Sequence, residues 1–224
     1  RLRHEIVVHE MGARLQTPQG TPSGLDVDLF DEHCEHLIVR DEANGCIVGT
    51  YRILSPQSAK RTGGYYSENE FDLTRLQLLR DGMVEIGRSC IDPDYRTGGT
   101  IALLWSGLAN FMTQGGYRTL IGCASIGMAD GGYLAANLYR RLGEHMAPPE
   151  YRVFPRHPLP VEQLFNGQPA ELPPLIKGYL RAGAYVGGEP AWDPDFNTAD
   201  LLIMMPMARV EERYARHFLE RKAA

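Results

Sequence analysis

Hydrophobic and polar positions in the first half of the chain predict a hairpin and then a helix. Residues 36–40 and 46–54 are apolar, β-branched runs. Between them stands Asn44-Gly45, the strongest short signal for a hairpin turn. Residues 100–114 place six apolar side chains on one helical stripe, namely Ile101, Leu104, Trp105, Leu108, Phe111 and Met112. The pattern therefore predicts antiparallel strands with a helix packed against them.

The remaining elements follow from the same two periodicities. Further helices are predicted over residues 1–14, 71–79, 129–142, 175–183 and 209–222, and further strands over residues 63–70, 83–91, 118–125 and 201–207. A proline-rich stretch over 148–174 is predicted to hold no regular element. This order of elements predicts an α/β fold with a mixed sheet, in one domain with a C-terminal elaboration.

Composition and charge exclude several classes of function. The chain has 224 residues and a formal net charge of −5, which argues against nucleic-acid binding. Its apolar runs are shorter than the roughly 18 residues that span a bilayer, and it shows no secretory signal pattern. Its four cysteines are scattered without a C-x-x-C pair, so we expect free thiols in a cytoplasmic protein and no metal site.

The stretch "EIGRSCIDPDYRTGG", residues 85–99, carries the sharpest chemical signal. On a regular strand Glu85, Gly87 and Ser89 face one way and Arg88 faces the other. The glycine-rich turn between strand and helix is a place where backbone N–H groups meet an anion or an oxyanion. The plainer alternative is an ordinary ion pair or solvated charges at a strand end.

Several segments together resemble one acyltransferase family. They are "FDEHCEHLIVRDEANGCIVGTYRIL", "VEIGRSCIDPDYR", "LLWSGL", "GCASI" and "GYLRAGAYVGGEPAWDPDFNTADLLIMM". Their order is similar to that of the L-ornithine N-acyltransferases of the GNAT superfamily, which are related to N-acyl amino acid synthases and acyl-homoserine-lactone synthases. The resemblance covers nearly the whole chain. It implies a GNAT-like α/β fold with a mixed, mostly antiparallel central sheet flanked by helices, and a family strand before the first helix that this chain would lack.

The resemblance also implies an activity. A long (3-hydroxy)acyl chain would pass from acyl-acyl carrier protein to the α-amine of an amino acid, with L-ornithine as the first candidate, by direct attack without an acyl-enzyme. No cofactor would be bound, and acyl-coenzyme A stays open as the donor. The alternatives are an N-acyl amino acid synthase for another acceptor such as tyrosine, and a non-catalytic acyl-binding module. The location would be cytoplasmic, with peripheral contact to the inner membrane as an option.

Catalytic roles follow from this implied chemistry. Glu85 would take the proton of the acceptor amine or bind its ammonium. Backbone N–H groups from Gly87 to Ser89 would receive the oxyanion. Arg88 would hold the substrate carboxylate or orient Glu85, although a structural ion pair fits equally well. Ser125 would protonate the leaving thiolate, with a capping role as its alternative.

Donor-binding residues are expected in the core, residues 1–147, and the Pro-rich segment with its closing elements occupies residues 148–224. Arg96, Gly98 and Gly99 fit the superfamily's phosphate-binding turn, but Ile101 stands where that pattern has a small residue. The bulky side chain favours the single phosphodiester of a carrier protein over coenzyme A. Four arginines form the densest basic group and are the candidate carrier-protein dock, or else a solvated face: Arg140, Arg141, Arg152 and Arg156.

Overall fold

The computed structural model describes residues 1–15 and 17–210. It is a mixed α/β protein with a mostly antiparallel seven-stranded sheet and a separate two-stranded sheet, which confirms the predicted fold class in these terms. Its contacts divide the chain into two compact units. No helix in the described ranges is both long enough and apolar enough to cross a bilayer.

The first unit comprises Arg1–Tyr66, Val84–Tyr117 and Pro194–Asn197. Its elements are helix α1 (Leu2–His4, continued as a π-helix over Glu5–Glu10), a 3₁₀ turn at Asp31–His33, strands β1 (Glu35–Arg40) and β2 (Ile47–Leu54), helix α2 (Pro56–Thr62), strand β4 (Met83–Ile91), a 3₁₀ turn at Pro93–Tyr95 and helix α3 (Gly99–Gly115). Strand β2 pairs antiparallel with both β1 and β4, so the predicted hairpin is confirmed.

Helix α3 packs closely on the hairpin. A Cβ atom added to Gly49 of β2 would stand 2.7 Å from Thr100 Cγ2 and 3.2 Å from Leu104 Cδ1. Leu104 and Met112 are fully buried on the stripe that the sequence predicted. Gly98 caps the first turn of the helix at φ 95°, a conformation that glycine adopts without steric cost. The small residue at position 49 therefore lets the helix lie directly against strand β2.

The second unit comprises Ser67–Met83, Arg118–Asp193 and the chain from Thr198 onward. Its elements are 3₁₀ turns at Tyr66–Asn69 and Thr74–Gly82, strand β3 (Phe71–Asp72), strand β5 (Thr119–Gly127), helix α4 (Tyr133–Tyr139), 3₁₀ turns at Gly143–His145 and Pro149–Tyr151, strand β6 (Phe154–Pro155), helices α5 (Val161–Leu164) and α6 (Pro174–Ala182), and strands β7 (Tyr185–Val186), β8 (Ala191–Asp193) and β9 (Thr198–Pro206). Strand β9 pairs antiparallel with β5 along its whole length, and also with β7 and β8.

One predicted element is wrong and a second is displaced along the chain. Residues 63–70 form no strand, because Gly63 ends α2 in the left-handed region at φ 84° and the chain then makes a 3₁₀ turn. The short helix predicted over 71–79 is present as a 3₁₀ helix over Thr74–Gly82. Phe71–Asp72 pairs with β6 instead, and the Asp72 carboxylate accepts the Thr74 N–H at 2.8 Å, which starts a 3₁₀ segment.

Other boundaries moved because side chains cap the backbone. The helix predicted over 129–142 begins at Tyr133, since the Asp130 carboxylate accepts the Leu134 N–H at 2.7 Å.

Three short elements lie in the Pro-rich stretch, where none was predicted. Strands β7 and β8 were not predicted either. The helix predicted over 209–222 lies outside the described residues beyond residue 210.

Candidate active site

Strand β4 carries a bulge at the motif that the sequence singled out. In the pairing with β2, Cys90 lies opposite Thr50 and Gly87 opposite Arg52, so two β4 residues face one β2 residue between these pairs. Arg88 is one of the two, and it adopts a left-handed backbone at φ 50°. Such strain in a residue other than glycine often accompanies functional sites. The bulge ends the regular alternation of faces along the strand.

Glu85 and Arg88 consequently meet the same residue. The Glu85 carboxylate accepts the backbone N–H of Tyr66 at 2.6 Å. The guanidinium carbon of Arg88 lies 5.2 Å from the centroid of the Tyr66 ring, within cation–π range. The expectation that these two side chains diverge to opposite faces is therefore wrong, because it assumed a regular strand.

Arg88 belongs to a network of three arginines and three aspartates in the first unit. Asp26 lies 2.8 Å from Arg3 and 3.2 Å from Arg88. Asp28 lies 2.6 Å from Arg52 and 3.2 Å from Arg88. Asp31 completes the network by accepting two hydrogen bonds from Arg3, at 2.6 and 3.0 Å, and by lying 3.3 Å from Arg52.

Electrostatics favour the ionised form of Asp31. Burial opposes the charge of Asp31, but hydrogen bonds from Arg3 and the Asp28 N–H, with the charges of Arg3 and Arg52, lower the pKa of Asp31 to about 2. The Arg52 side chain is only 5% exposed. Removing one partner would leave a buried charge, at a cost of about 3–5 kcal/mol.

A cleft of about 450 Å³ opens beside this network within the first unit. Its charged walls include Arg14, Asp26, Asp28, Arg88 and Asp195, and its aromatic walls are Phe30, Tyr66 and Phe196. The Arg88 guanidinium lies within cation–π range of two of these rings, since it is also 4.8 Å from the Phe196 centroid. A pocket with both signs of charge and aromatic walls suits a small zwitterionic molecule.

Glu85 lies behind this cleft. Its side chain is 4% exposed and it is not one of the described residues that line the opening. It contacts the cleft wall through Tyr66. The structure thus places Arg88 in the wall of the cleft. Glu85 lies behind that wall, in contact with the wall residue Tyr66.

The other predicted residues of β4 stand at the bulge. Gly87 pairs with Arg52, and a Cβ added to Gly87 would meet no atom within 4 Å. Ser89 is the second bulge residue, and the register of β2 leaves it without a directly opposite partner. The predicted role of this segment in oxyanion binding stays a prediction.

Arg96, in the predicted donor-binding turn, is hydrogen-bonded to the carboxylate of Glu10. Its guanidinium donates to both Glu10 oxygens, at 2.8 and 2.9 Å, and to the Ile91 carbonyl at 3.1 Å. Added Cβ atoms at Gly98 and Gly99 would meet nothing within 4 Å, so the space over the turn is open. A phosphate at this turn would compete with Glu10 for Arg96.

The four arginines of the predicted dock each have a contact within the second unit. Arg140 pairs with Glu162 at 2.6 Å, and Arg141 donates to the Ala170 carbonyl at 3.0 Å. Arg152 donates to the Ala147 carbonyl and Arg156 to the Glu68 carbonyl. Their predicted role in carrier docking stays a prediction.

Ser125 lies in the second unit, on strand β5. It is exposed and stands directly opposite Asp200 of β9. Ser125 lies within strand β5 and not at the start of a helix, so the structure does not support the alternative of a helix-capping role.

Sequence reasoning missed two groups of residues. The aspartates of "DVDLFD", residues 26–31, precede β1, and their dense spacing was the available signal. A second group comprises Glu70, Cys123 and Asp200, whose ligand atoms lie within 4.8 Å of one another in the second unit. No other set of three His, Cys, Asp or Glu side chains in the described chain is close enough to share one ion.

Comparisons with known proteins add to this geometry. Residues 2–106 match the family model described as an acetyltransferase (GNAT) domain. A relative from Brucella abortus (strain 2308), named L-ornithine N(alpha)-acyltransferase, is 34% identical over 232 residues, covering 97% of this chain and 82% of its own length. One of the same name from Agrobacterium fabrum (strain C58 / ATCC 33970) is 35% identical over 233 residues, with coverages of 97% and 79%.

Solved structures show the same fold. A coenzyme A-dependent acyl-homoserine lactone synthase, BjaI, determined with MTA, matches with a TM-score of 0.55 and 15% identity over 96% of this chain and 78% of that chain. A second such synthase, MesI, matches with a TM-score of 0.51 and 13% identity, with coverages of 96% and 83%. Together with the family model, these matches confirm the predicted GNAT-like fold.

Proposed function

This chain belongs to the L-ornithine N(alpha)-acyltransferase family, and from that premise we propose that it transfers a long acyl group to the α-amine of L-ornithine. That it is an acyltransferase follows from the family. The acceptor, the donor and the residue roles are the content of the proposal. The observation that carries it is the cleft of the first unit, with its paired charges and aromatic walls.

The cleft offers charges of both signs to an amino acid acceptor. Arg88 and Arg14 are our candidates for binding the substrate carboxylate. Arg88 already pairs with Asp26 and Asp28, whereas the Arg14 side chain forms no ion pair with any residue in the ranges 1–15 and 17–210. The cleft walls also hold three carboxylates, from Asp26, Asp28 and Asp195. Asp26 and Asp28 already pair with Arg3, Arg52 and Arg88, and these pairs give the walls both signs of charge for an acceptor with two ammonium groups and one carboxylate, which is the charge pattern of ornithine.

The reaction requires the acceptor amine to lose a proton. An α-amino group has a pKa near 8, so most of it is protonated at neutral pH. Glu85, held by the Tyr66 N–H, is our candidate to accept that proton through water at the cleft wall. Backbone N–H groups of the β4 bulge, from Gly87 to Ser89, would stabilise the oxyanion formed when the amine attacks the thioester.

We assign the donor to acyl carrier protein. Its phosphopantetheine phosphate would bind at Arg96, Gly98 and Gly99, where the backbone is open and the start of α3 favours an anion. Ile101, in the first turn of that helix, leaves less room there than a small residue would. A carrier-protein donor places the reaction in the cytoplasm, with contact to the inner membrane where the acylated product leaves.

The test is an assay with purified protein, one acyl-acyl carrier protein and a panel of amino acids. Mass spectrometry of the products should show N-acyl-ornithine formed faster than N-acyl-tyrosine or other N-acyl amino acids. Preference for another acceptor would make the chain an N-acyl amino acid synthase of different specificity. Binding of the acyl donor with no product from any acceptor would instead mean a non-catalytic acyl-binding module.

A further inference from the structure

Two buried carboxylates and a thiol meet in the second unit. Glu70 is 9% exposed and Asp200 is 4% exposed, and an oxygen of each lies within 4.8 Å of the other and of the Cys123 sulfur. No group in the described ranges donates a hydrogen bond to either Glu70 oxygen or to Asp200 Oδ1. Burying polar atoms without partners is costly, so these three oxygens need a partner that the described side chains do not supply.

The backbone holds the three side chains in place. Cys123 and Ser125 lie on one face of strand β5, and Ser125 stands directly opposite Asp200 of strand β9. Directly opposite residues project to the same face of a sheet, so Cys123 and Asp200 share that face. Glu70 approaches it from the turn before β3, where its carbonyl accepts the Arg156 N–H at 2.7 Å. Ligands carried by a fixed backbone are what a metal site requires.

No side-chain cation balances these carboxylates in the part of the chain that the structure describes. Ion pairs of the second unit lie elsewhere and join Arg80 to Glu68 and Arg140 to Glu162. The β8–β9 ladder instead adds a third acid to the same face. Ala191 lies directly opposite Asp200, and Asp193 is two residues further along β8. This face of the sheet therefore attracts a cation.

One proton satisfies the arrangement less well than one metal ion. An O–H bond shared between the two carboxyl groups uses one oxygen of each, so one of the three oxygens stays without a partner. A divalent ion can bind both oxygens of Glu70 and one oxygen of Asp200, since carboxylates bind metals through one oxygen or two. In metal-free protein, burial and the charge of Asp200 raise the pKa of Glu70 to about 10, so a proton is the competitor that the metal displaces.

The donor set selects the kind of metal. A thiolate favours zinc and other transition metals, whereas Mg²⁺ and Ca²⁺ prefer sites made of oxygen alone. Ligand atoms at about 2.0–2.3 Å from a tetrahedral zinc ion stand roughly 3.3–3.8 Å apart, so the three atoms need to close by about 1 Å. Cys123 is half-buried, so the ion can enter on the sulfur side, where a water molecule can complete its coordination.

We propose that Glu70, Cys123 and Asp200 form a binding site for one divalent metal ion of the zinc class. As the metal–sulfur bond forms, the Cys123 thiol releases its proton to solvent, and a proton held between the carboxyl groups leaves in the same way. Binding joins the turn before β3 to strands β5 and β9 and thereby stabilises the second unit.

This site is independent of the acyl-transfer function, since none of its three residues lines the cleft of the first unit. The sequence predicted no metal site, because the three ligands come from distant segments and show none of the usual motif spacings.

Zinc binding by the wild-type protein is the first measurement. After a chelator has removed bound metal, dialysis against zinc followed by metal analysis should give one ion per chain. Zinc at about 100 times its dissociation constant should raise Tm by about 5 °C or more. Glu70→Gln and Asp200→Asn should each lower the zinc affinity by at least the roughly tenfold that loss of an outer-shell partner costs. Glu144→Gln, which alters an exposed carboxylate of the same unit, should match wild type.

A second measurement identifies the sulfur ligand without any substitution. Zinc should slow the alkylation of Cys123 by iodoacetamide about tenfold or more, because a metal-bound thiolate is a poor nucleophile. Peptide mass spectrometry resolves each cysteine, and the exposed Cys46 of the first unit should react at the same rate with and without zinc. This measurement uses the wild-type chain, so it decides the question even where a variant fails to fold.

Three outcomes would overturn the metal site. Wild-type protein that retains no zinc would leave a shared proton as the partner of the two carboxylates. Zinc that binds without protecting Cys123 would lie at another place, and so would zinc whose affinity is unchanged in both Glu70→Gln and Asp200→Asn. Failure to acylate any amine would instead count against the proposed function and would leave the metal site unaffected.

Discussion

The backbone N–H of Tyr66 donates a 2.6 Å hydrogen bond to the carboxylate of Glu85, while the ring of the same tyrosine forms part of the cleft wall. One residue thus joins a buried charge to an open binding surface. If Glu85 receives the proton of the acceptor amine, that proton has to cross the part of the cleft wall that Tyr66 forms. A loss of its charge should therefore affect turnover more than acceptor binding.

Glu85→Gln tests this role with little change of shape. The amide oxygen can still accept the Tyr66 N–H, so the fold should survive, and kcat should fall by about a hundredfold or more. Steady-state kinetics at saturating acceptor measure the change, with circular dichroism as the check of folding. Glu42→Gln, which alters an exposed carboxylate in the turn after β1, should have wild-type turnover. A folded Glu85→Gln protein with normal turnover would remove Glu85 from the mechanism.

Arg88→Lys tests recognition of the acceptor in the cleft. Lysine keeps the charge but not the planar guanidinium that lies near the Tyr66 and Phe196 rings, so it cannot bind a carboxylate in bidentate fashion. The KM for ornithine should rise about tenfold or more, equivalent to a loss of about 1.4 kcal/mol. Arg40→Lys, on an exposed ion pair of β1, is the matched control. An unchanged KM would mean that the acceptor carboxylate binds elsewhere.

Arg96 and Glu10 offer a paired test of the donor site. Arg96→Ala should raise the KM for acyl-acyl carrier protein by roughly tenfold, because a charge-assisted contact to the phosphate is lost. Glu10→Gln should lower that KM or leave it unchanged, since it releases Arg96 from the carboxylate that now holds it. If both variants raise the KM equally, the Arg96–Glu10 pair is structural and the phosphate binds at another place.

The donor itself can be tested with one acyl chain on two carriers. We expect acyl-acyl carrier protein to be used at least about tenfold more efficiently than the matching acyl-coenzyme A, a difference of about 1.4 kcal/mol. Reversing Arg140 and Arg141 to Glu should raise the KM for the carrier protein and weaken its salt dependence. Arg40→Glu is the control for a general charge effect. Equal kcat/KM for the two donors would contradict the carrier-protein assignment.

The Glu70–Asp200 pair predicts a dependence of stability on pH. The pKa of Glu70 is raised from 4.5 to about 10, so the folded state holds more protons than the unfolded state between these values. In metal-free protein, the contribution of Glu70 to stability is therefore full below about pH 4.5 and declines as pH rises toward 10. Denaturant unfolding across this range should show a smaller decline for Glu70→Gln than for wild type. Equal declines would mean that Glu70 ionises normally.

The sequence predicted most of the fold because hydrophobic periodicity is strong in its long elements. Helix α3 and the β1–β2 hairpin appear where the apolar stripe and the Asn-Gly turn predicted them. The short strands β7 and β8 were missed because two or three residues carry too little pattern. The strand predicted over 63–70 failed because left-handed glycine geometry overrides β propensity.

The candidate site was harder to predict than the fold. Arg88 stands out in the sequence, but its position depends on a bulge that only the pairing with β2 produces. The partners Asp26 and Asp28 come from a loop some sixty residues earlier in the chain, and no local pattern connects them to β4. Asp200 and Glu70 are further apart still, and only the folded sheet brings their carboxyl groups together.

Helix α3 lies so near strand β2 that Gly49 has no room for even one methyl group. A mutational library that varies every position should therefore find Gly49 among the least tolerant sites, although it contacts no substrate in any role assigned here. Replacement by alanine would push on Thr100, in the first turn of the helix, and so tilt the turn that carries Gly98 and Gly99. Loss of activity at such a remote position would be a geometric effect transmitted through packing.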